Sequence, residues 1–500
     1  MLAGVLLISA GSMSQDILDQ YIPLPPQELS VEQYLYHIKD ITKLNLVYSS
    51  RIVEDRRIAI YSDSIQLREL LDTLFTEREI RYIMKDNMLI FSPQVQEQTT
   101  HIRVSGKVKN SKNDQPIPFA TIFVPNSSIG TITNYEGAFE LILPVEEKID
   151  SLTVSCLGYK LQTIDIIEFL KGQVDILLKP SRFQIDELIV RPDDPKKLIM
   201  GAIENKRKNY SNEPVMFTAF FRESSKQNDK YISLSEAVID IYKTSYNTDQ
   251  IDMVKLVKGR RGTNVENSEL INLVVEGGLY NSMQLDLMKY SVSFLDPEFF
   301  DYYEYELQKQ VNFNGRQTYV IGFTFKGNLA FPGFDGKIFL DVESLALVRS
   351  EFYFSEEGLD YTYDLLVRKA PMNLKISPKY GRYEVEYRYY DGKWNLNHAL
   401  SEIALKVRKK RGRSNKGFTC QFSSSSEFVI TGRNTENFER IKYREASRPG
   451  DILYDQIAQS EEGFWGNQTI IIPEEPLLET IKKLRIEYPT LDSQLVKTKP

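Results

Sequence analysis

Cysteine, tryptophan and histidine are nearly missing from this 500-residue chain, which has two, two and three of them. Cys156 and Cys420 each sit in an alternating strand pattern, so no disulfide framework is expected and both read as buried thiols. His37, His101 and His398 stand far apart, and none belongs to an HExxH or HxxE arrangement, so no zinc site is expected. A GxSxG elbow, a GxxxxGK[ST] loop and a GxGxxG turn after a strand are all absent. The adjacent acids Asp193 and Asp194, or Glu356 and Glu357, read as helix caps or solvated surface, not as an acid–base pair. The chain is therefore expected not to be an enzyme, and no cofactor is called for. A net charge of −7 argues against a general nucleic-acid binder, which needs a strongly basic face. No apolar run reaches the roughly 18 residues of a membrane-spanning helix.

What is present is β-forming material: 29 Tyr and 26 Phe within an apolar content of 42%. The length suits about three domains. Residues 1–14, MLAGVLLISAGSMS, form a short apolar run ending in small residues, so a secretory leader is expected, with the mature chain starting near Gln15. The fold class expected is mainly β and multidomain: an α+β domain at 15–98, a β-sandwich at 99–180, and a large antiparallel β-rich domain with a few helices at 195–500.

In the first of these, Ser30 and Gln33 are spaced as a capping box ahead of Val31, Tyr34, Leu35, Ile38 and Ile41 at helical spacing. A second helix stripes Leu67, Leu70, Leu71, Leu74 and Phe75, giving the order β-α-β-β-α-β-β. With LNLVYSSRIVEDRRIAIY between the helices, this layout resembles the secretin and TonB short N-terminal (STN) domain, which implies a periplasmic module contacting other envelope components. In 103–178, RVSGKVKN, GTITNYEGAFEL and LTVSCLGYK read as strands joined by turn residues such as Asn134 and Gly137. Gly106, Pro118, Ala120, Gly130, Thr131, Thr133, Asn134, Glu136, Gly137, Phe139, Gly158 and Tyr159 carry a resemblance to the carboxypeptidase-regulatory-like domain of Bacteroidetes envelope proteins. That resemblance implies a structural sandwich without the peptidase activity.

A boundary is expected at 185–194, IDELIVRPDD, where Asp194 would cap a helix opening on Pro195. Beyond it come long alternating strands, among them YEYELQKQVNF, TYVIGFTFKG and GRYEVEYRYYDGKW. Their charged neighbours do not leave the uninterrupted apolar face of a membrane barrel, so a sheet with one wet face is expected. GKIFLDVESLALVRSEF is similar in pattern to the hairpins of the lipoprotein-carrier half-barrel, which implies a sheet wrapped round an apolar cavity. In KVRKKRGRSNKG, at 406–417, Lys409, Lys410, Arg411 and Arg413 read as a solvated hairpin tip or, functionally, as a contact to an anionic lipid surface. Trp465 and the stripe Leu477, Leu478, Ile481 and Leu484 read as a tail sealing the last domain. The function expected is a non-catalytic interaction protein of the periplasm or the periplasmic face of the outer membrane, with an envelope protein as partner and no nucleic acid. The alternative is a carrier of a lipid or other apolar ligand in the C-terminal domain.

Overall fold

The computed structural model describes residues 17–25, 28–48, 57–75, 80–85, 88–93, 101–181, 194–263, 270, 273–410, 417–435, 438–457, 465–474 and 477. The expected leader, most of the 185–194 boundary, Arg411 and Arg413, and nearly all of the tail helix lie outside these residues. Contacts divide the chain into two units, Met1–Thr100 and His101–Pro500.

In the first unit the helix Val31–Thr42 starts on the expected capping box. Ser30 Oγ accepts from the Gln33 amide at 3.2 Å and Gln33 Oε1 accepts from the Ser30 amide at 2.9 Å. Its buried stripe of Tyr34, Leu35 and Ile38 packs on the leucine stripe of helix Leu67–Phe75 and on Leu89 and Phe91. The described strands form a three-stranded sheet, Asn45–Val47, Met88–Pro93 and Ile80–Lys85 in that order, and two short strand pairs.

The second unit holds a sandwich and one large sheet. In the sandwich, His101–Asn110 lies between Ala138–Pro144 and Val174–Leu178, and the last strand pairs with it in parallel. The facing sheet comprises Gly130–Ile132, Thr121–Phe123, Ser151–Ser155 and Gln162–Asp165. Val104, Val108, Phe139, Leu141, Leu152 and Val154 interdigitate between the two sheets.

The large sheet has ten antiparallel strands. They are β1 Val215–Gln227, β2 Lys230–Lys243, β3 Met253–Thr263, β4 Tyr303–Phe313, β5 Arg316–Phe325, β6 Phe334–Asp341, β7 Leu347–Phe354, β8 Leu374–Tyr390, β9 Lys393–Lys409 and β10 Phe418–Asn434. Their spatial order is β3-β2-β1-β10-β9-β8-β7-β6-β5-β4, two meanders joined where β1 meets β10. Asn314–Gly315 and Asp391–Gly392 close the β4–β5 and β8–β9 hairpins with positive φ at both residues, the turn that matches strand twist.

Period-two alternation gives this sheet two faces. One is apolar: Phe217, Ala219 and Phe221 of β1, Tyr387 of β8 and Phe428 of β10 pack against helix Pro195–Glu204 and helix Gly278–Met283. Asp194 caps the first of these helices, accepting from the Lys196 amide at 3.0 Å, and Pro195 stands at its start, as the sequence predicts. Phe294 stacks on Phe323 at 4.2 Å and Phe334 on Phe354 at 4.7 Å, so the protein's own rings fill the inner face.

The other face of β8–β10 carries Glu384, Glu386, Arg388, His398, Glu402 and Glu427, the charged residues expected to face water. Five of these six are buried, Glu402 being partly exposed. The sandwich packs against this face, because its hydroxyls and rings provide the hydrogen bonds and cation–π contacts that a wet face would take from solvent.

Candidate functional site

The junction of sandwich and sheet is built from short polar contacts. Thr121 Oγ1 donates to Glu386 at 3.1 Å, and the Arg388 guanidinium donates to the Ser127 carbonyl at 2.8 Å. Phe119 stacks on the His398 ring at 6.0 Å, while His398 Nε2 lies 3.1 Å from Glu427. Glu386 is neutralised from the other side by Arg349 at 3.0 Å, which also holds Glu351 at 2.8 Å. Buried carboxylates here have partners, as burial of charge requires.

The segment 465–474 staples the two parts together. Thr469 Oγ1 accepts from the Ile142 amide at 3.1 Å and the Ile472 carbonyl accepts from Asn134 at 3.1 Å, both on the sandwich side. On the sheet side Ile471 packs with Phe220 and Val429, and Trp465 meets Phe220 edge-on at 5.6 Å. Its Ile471 carbonyl takes Arg222, whose side chain also reaches Glu236 at 2.8 Å. The described part of the tail therefore seals the domain, as its composition suggests.

Where sandwich turn, sheet and tail meet lies a cleft of about 510 Å³. Tyr135 projects into it from the turn, opposite Tyr231, Tyr380, Glu402, Glu427 and Glu474, over a floor of Ser423, Ser424 and Ser425. The Tyr135 hydroxyl donates to Glu402 at 3.1 Å, and burial, then the negative charge of Glu402, pushes its phenol well above the usual range. Such a mixed aromatic and hydroxyl lining suits a ligand or partner segment with both apolar and hydrogen-bonding parts. A smaller cleft of about 230 Å³ lies on the inner side, lined in part by Ile232, Leu273, Val274, Val275 and Phe422.

The residues singled out as an anionic contact are only partly brought together. Lys410 is exposed, but Lys409 closes β9 with only 7% of its surface accessible, so it is not a free cation at a hairpin tip. Strand alternation turns it inward while Lys410 turns out. Cys420 is buried and Cys156 partly so, with burial pushing the Cys156 thiol up to about 11. Glu356 and Glu357 are exposed in the first turn of a short helix whose N-cap is Ser355, so they are solvated surface and not the cap.

One cluster is invisible in the sequence. Lys243, 2% exposed, makes ion pairs with Asp252 and Asp286, and Asp286 accepts the hydroxyls of Tyr246 at 2.7 Å and Tyr387 at 2.6 Å. Burial opposes the Lys243 charge, but the two carboxylates outweigh it and keep the ammonium protonated far into the alkaline range. No group of three or more potential metal ligands occurs among the described residues, and no helix among them is long and apolar enough to cross a membrane.

No curated protein matches the chain in sequence. Among solved structures, an outer membrane lipoprotein-sorting protein domain from Vibrio parahaemolyticus aligns at 12% identity over 49% of this chain and 95% of its own, with a TM-score of 0.22. A LolA superfamily protein from Nitrosomonas europaea aligns at 9% identity over 49% and 94%, with a TM-score of 0.20. A membrane-associated protein of unknown function from Bacteroides fragilis covers 67% of this chain and 98% of its own at 10% identity, with a TM-score of 0.12. Scores this low establish no shared function. The sandwich, with its Asn134–Gly137 turn and its strand core, is the part that a family defines: residues 104–190 match the CarboxypepD_reg-like domain.

Proposed function

We propose that this protein is a non-catalytic interaction protein of the bacterial envelope, in which the sandwich and the ten-stranded sheet work as one body and present the junction cleft to a partner. The observation that carries this reading is the cleft itself. Three separate stretches of chain, the Tyr135 turn, the β9–β10 surface and the tail at Glu474, converge on it. The first unit, read as an STN-like domain, supports a periplasmic setting at the outer membrane. The mutual pairing of Lys243, Asp252 and Asp286 supports the non-catalytic reading, because these groups neutralise one another instead of facing a cleft as acid and base.

A second reading, a binder of a small apolar ligand, is favoured by the 230 Å³ inner cleft beside Ile232, Leu273 and Phe422. Native mass spectrometry of the full chain, gently extracted from membranes, separates the two. The interaction reading expects a protein complex that dissociates when Tyr380→Asp is introduced in the junction cleft. A stoichiometric lipid adduct, without any protein partner and indifferent to Tyr380→Asp, would replace it with the second reading.

A further inference from the structure

Glu223 is a carboxylate on the apolar face of the sheet. Strand alternation puts Phe217, Ala219 and Phe221 of β1 on that face, and the next two positions on the same side are Glu223 and Ser225. Register continues the change into both neighbouring strands. Glu223 stands opposite Ser235 of β2 and Ser426 of β10, and Ser225 opposite Ser233 and Ser424, so one acid and five serines share a patch. Glu223 Oε2 accepts from the Gly278 amide at 2.7 Å and from the Ser426 hydroxyl at 3.3 Å. Gly277 permits this approach, because a Cβ there would come within 2.9 Å of Oε2. Oε1 takes no hydrogen bond among the described residues and is not buried. The buried acids Glu236, Glu384, Glu386 and Asp286 each have an arginine or lysine, whereas no cation among the described residues pairs with Glu223. Burial pushes its carboxyl above the ordinary range, with only the two hydrogen bonds opposing.

Glu223 lines the inner cleft of about 230 Å³ together with Ser225, Ser233, Ser235 and Ser424. Ile232, Leu273, Val275 and Phe422 give the same cleft its apolar side, and all four belong to or pack on one hydrophobic cluster. The other charged residues of the lining, Lys369 and Asp455, are exposed. We infer that this cleft takes a ligand carrying a protonated amine on a short apolar body, with the ammonium on Glu223 among the serines and the apolar part against Leu273 and Phe422. A carboxylate without a counter-charge gains most from a partner that brings one, and in a partly closed cleft of low dielectric the attraction exceeds its value in water. A neutral alcohol in the same place offers only a hydrogen bond, and a carboxylate ligand is repelled. The serine hydroxyls can accept the remaining ammonium protons. This site belongs to the second reading above, a binder of a small apolar ligand, and gives that ligand a cationic head.

The test is thermal unfolding of the full chain at neutral pH and constant ionic strength, with hexylamine or hexanol titrated in. Wild type is expected to be stabilised saturably by both, and to bind hexylamine about tenfold more tightly. Glu223→Gln keeps an acceptor for the Gly278 amide and removes the charge. It is expected to bind hexanol as wild type does and hexylamine no better than hexanol. Asp455→Asn, at the exposed side of the cleft, is expected to keep the wild-type preference. If Glu223→Gln does not fold, Asp455→Asn decides at lower pH: its preference is expected to fade on acidification, as Glu223 takes up a proton while the amine stays charged. Equal binding of the two probes by wild type, or a preference that survives Glu223→Gln, would overturn the ammonium site and leave the apolar binder standing. Binding of neither probe would remove the second reading and this site with it.

Discussion

Tyr135, at the tip of a sandwich turn, donates its hydroxyl to Glu402 of β9, 267 positions away in the chain, at 3.1 Å. The same glutamate accepts from Arg382 at 3.1 Å, so the turn is tied into the ion network of the sheet. Removing the hydroxyl in Tyr135→Phe is expected to cost about 1 kcal/mol, since the ring is half exposed. A double-mutant cycle with Glu402→Gln, read by denaturant unfolding, measures the coupling. Additive effects would show that the turn only touches the sheet.

Gly137 has φ of 73°, and a Cβ there would meet the Val108 carbonyl at 2.5 Å. Strain and clash act together, so Gly137→Val is expected to destabilise by at least the ~1–3 kcal/mol of left-handed strain. Phe139→Ala, at a side chain with no exposure, is expected to cost about 3–5 kcal/mol. Calorimetry that finds both variants melting like wild type would mean that the sandwich core lies elsewhere.

Glu236 is fully buried between Arg222 and Arg260. Burial alone would raise its carboxyl, but the two guanidiniums outweigh burial and hold it below the ordinary range. A folded-state value below the unfolded one means that this stabilisation is fully present above the unfolded carboxyl's pKa of roughly 4.3 and is lost as pH falls through the folded value. Glu236→Gln is expected to cost about 3–5 kcal/mol at neutral pH, with the gap from wild type closing on acidification. Urea unfolding at stepped pH checks this, and a gap of constant size would exclude Glu236 as the titrating group.

Lys409 and Lys410 are neighbours with different burial. Lys409→Ala is expected to cost about 1–2 kcal/mol through lost packing and hydrogen bonding, and Lys410→Ala under about 0.5 kcal/mol. Replacing Lys410, Arg411 and Arg413 together is expected to leave the melting temperature unchanged while lowering retention on anionic vesicles. In wild type that retention should fade as salt passes about 0.15 M. Cosedimentation across a salt series reads both effects.

Local order was legible in the sequence wherever local physics decides it. The Ser30–Gln33 capping box, the Asp194–Pro195 helix start and the leucine stripe of 67–75 depend on residues a few positions apart, and each appears where its spacing puts it. The same holds for the alternation that makes the long strands and for the Asn134–Gly137 turn. The fate of the sheet's second face depended on the tertiary structure. Glu384, Glu386 and Arg388 alternate with apolar neighbours in the way of a solvated strand, and nothing within twenty residues of them says that a sandwich some 260 positions earlier will cover them. The contacts of Asp286 to Lys243 and Tyr387, and of Arg388 to the Ser127 carbonyl, have the same origin. A charged residue reads as surface until a distant segment supplies its partner, or fails to, and only the packed chain brings those segments together.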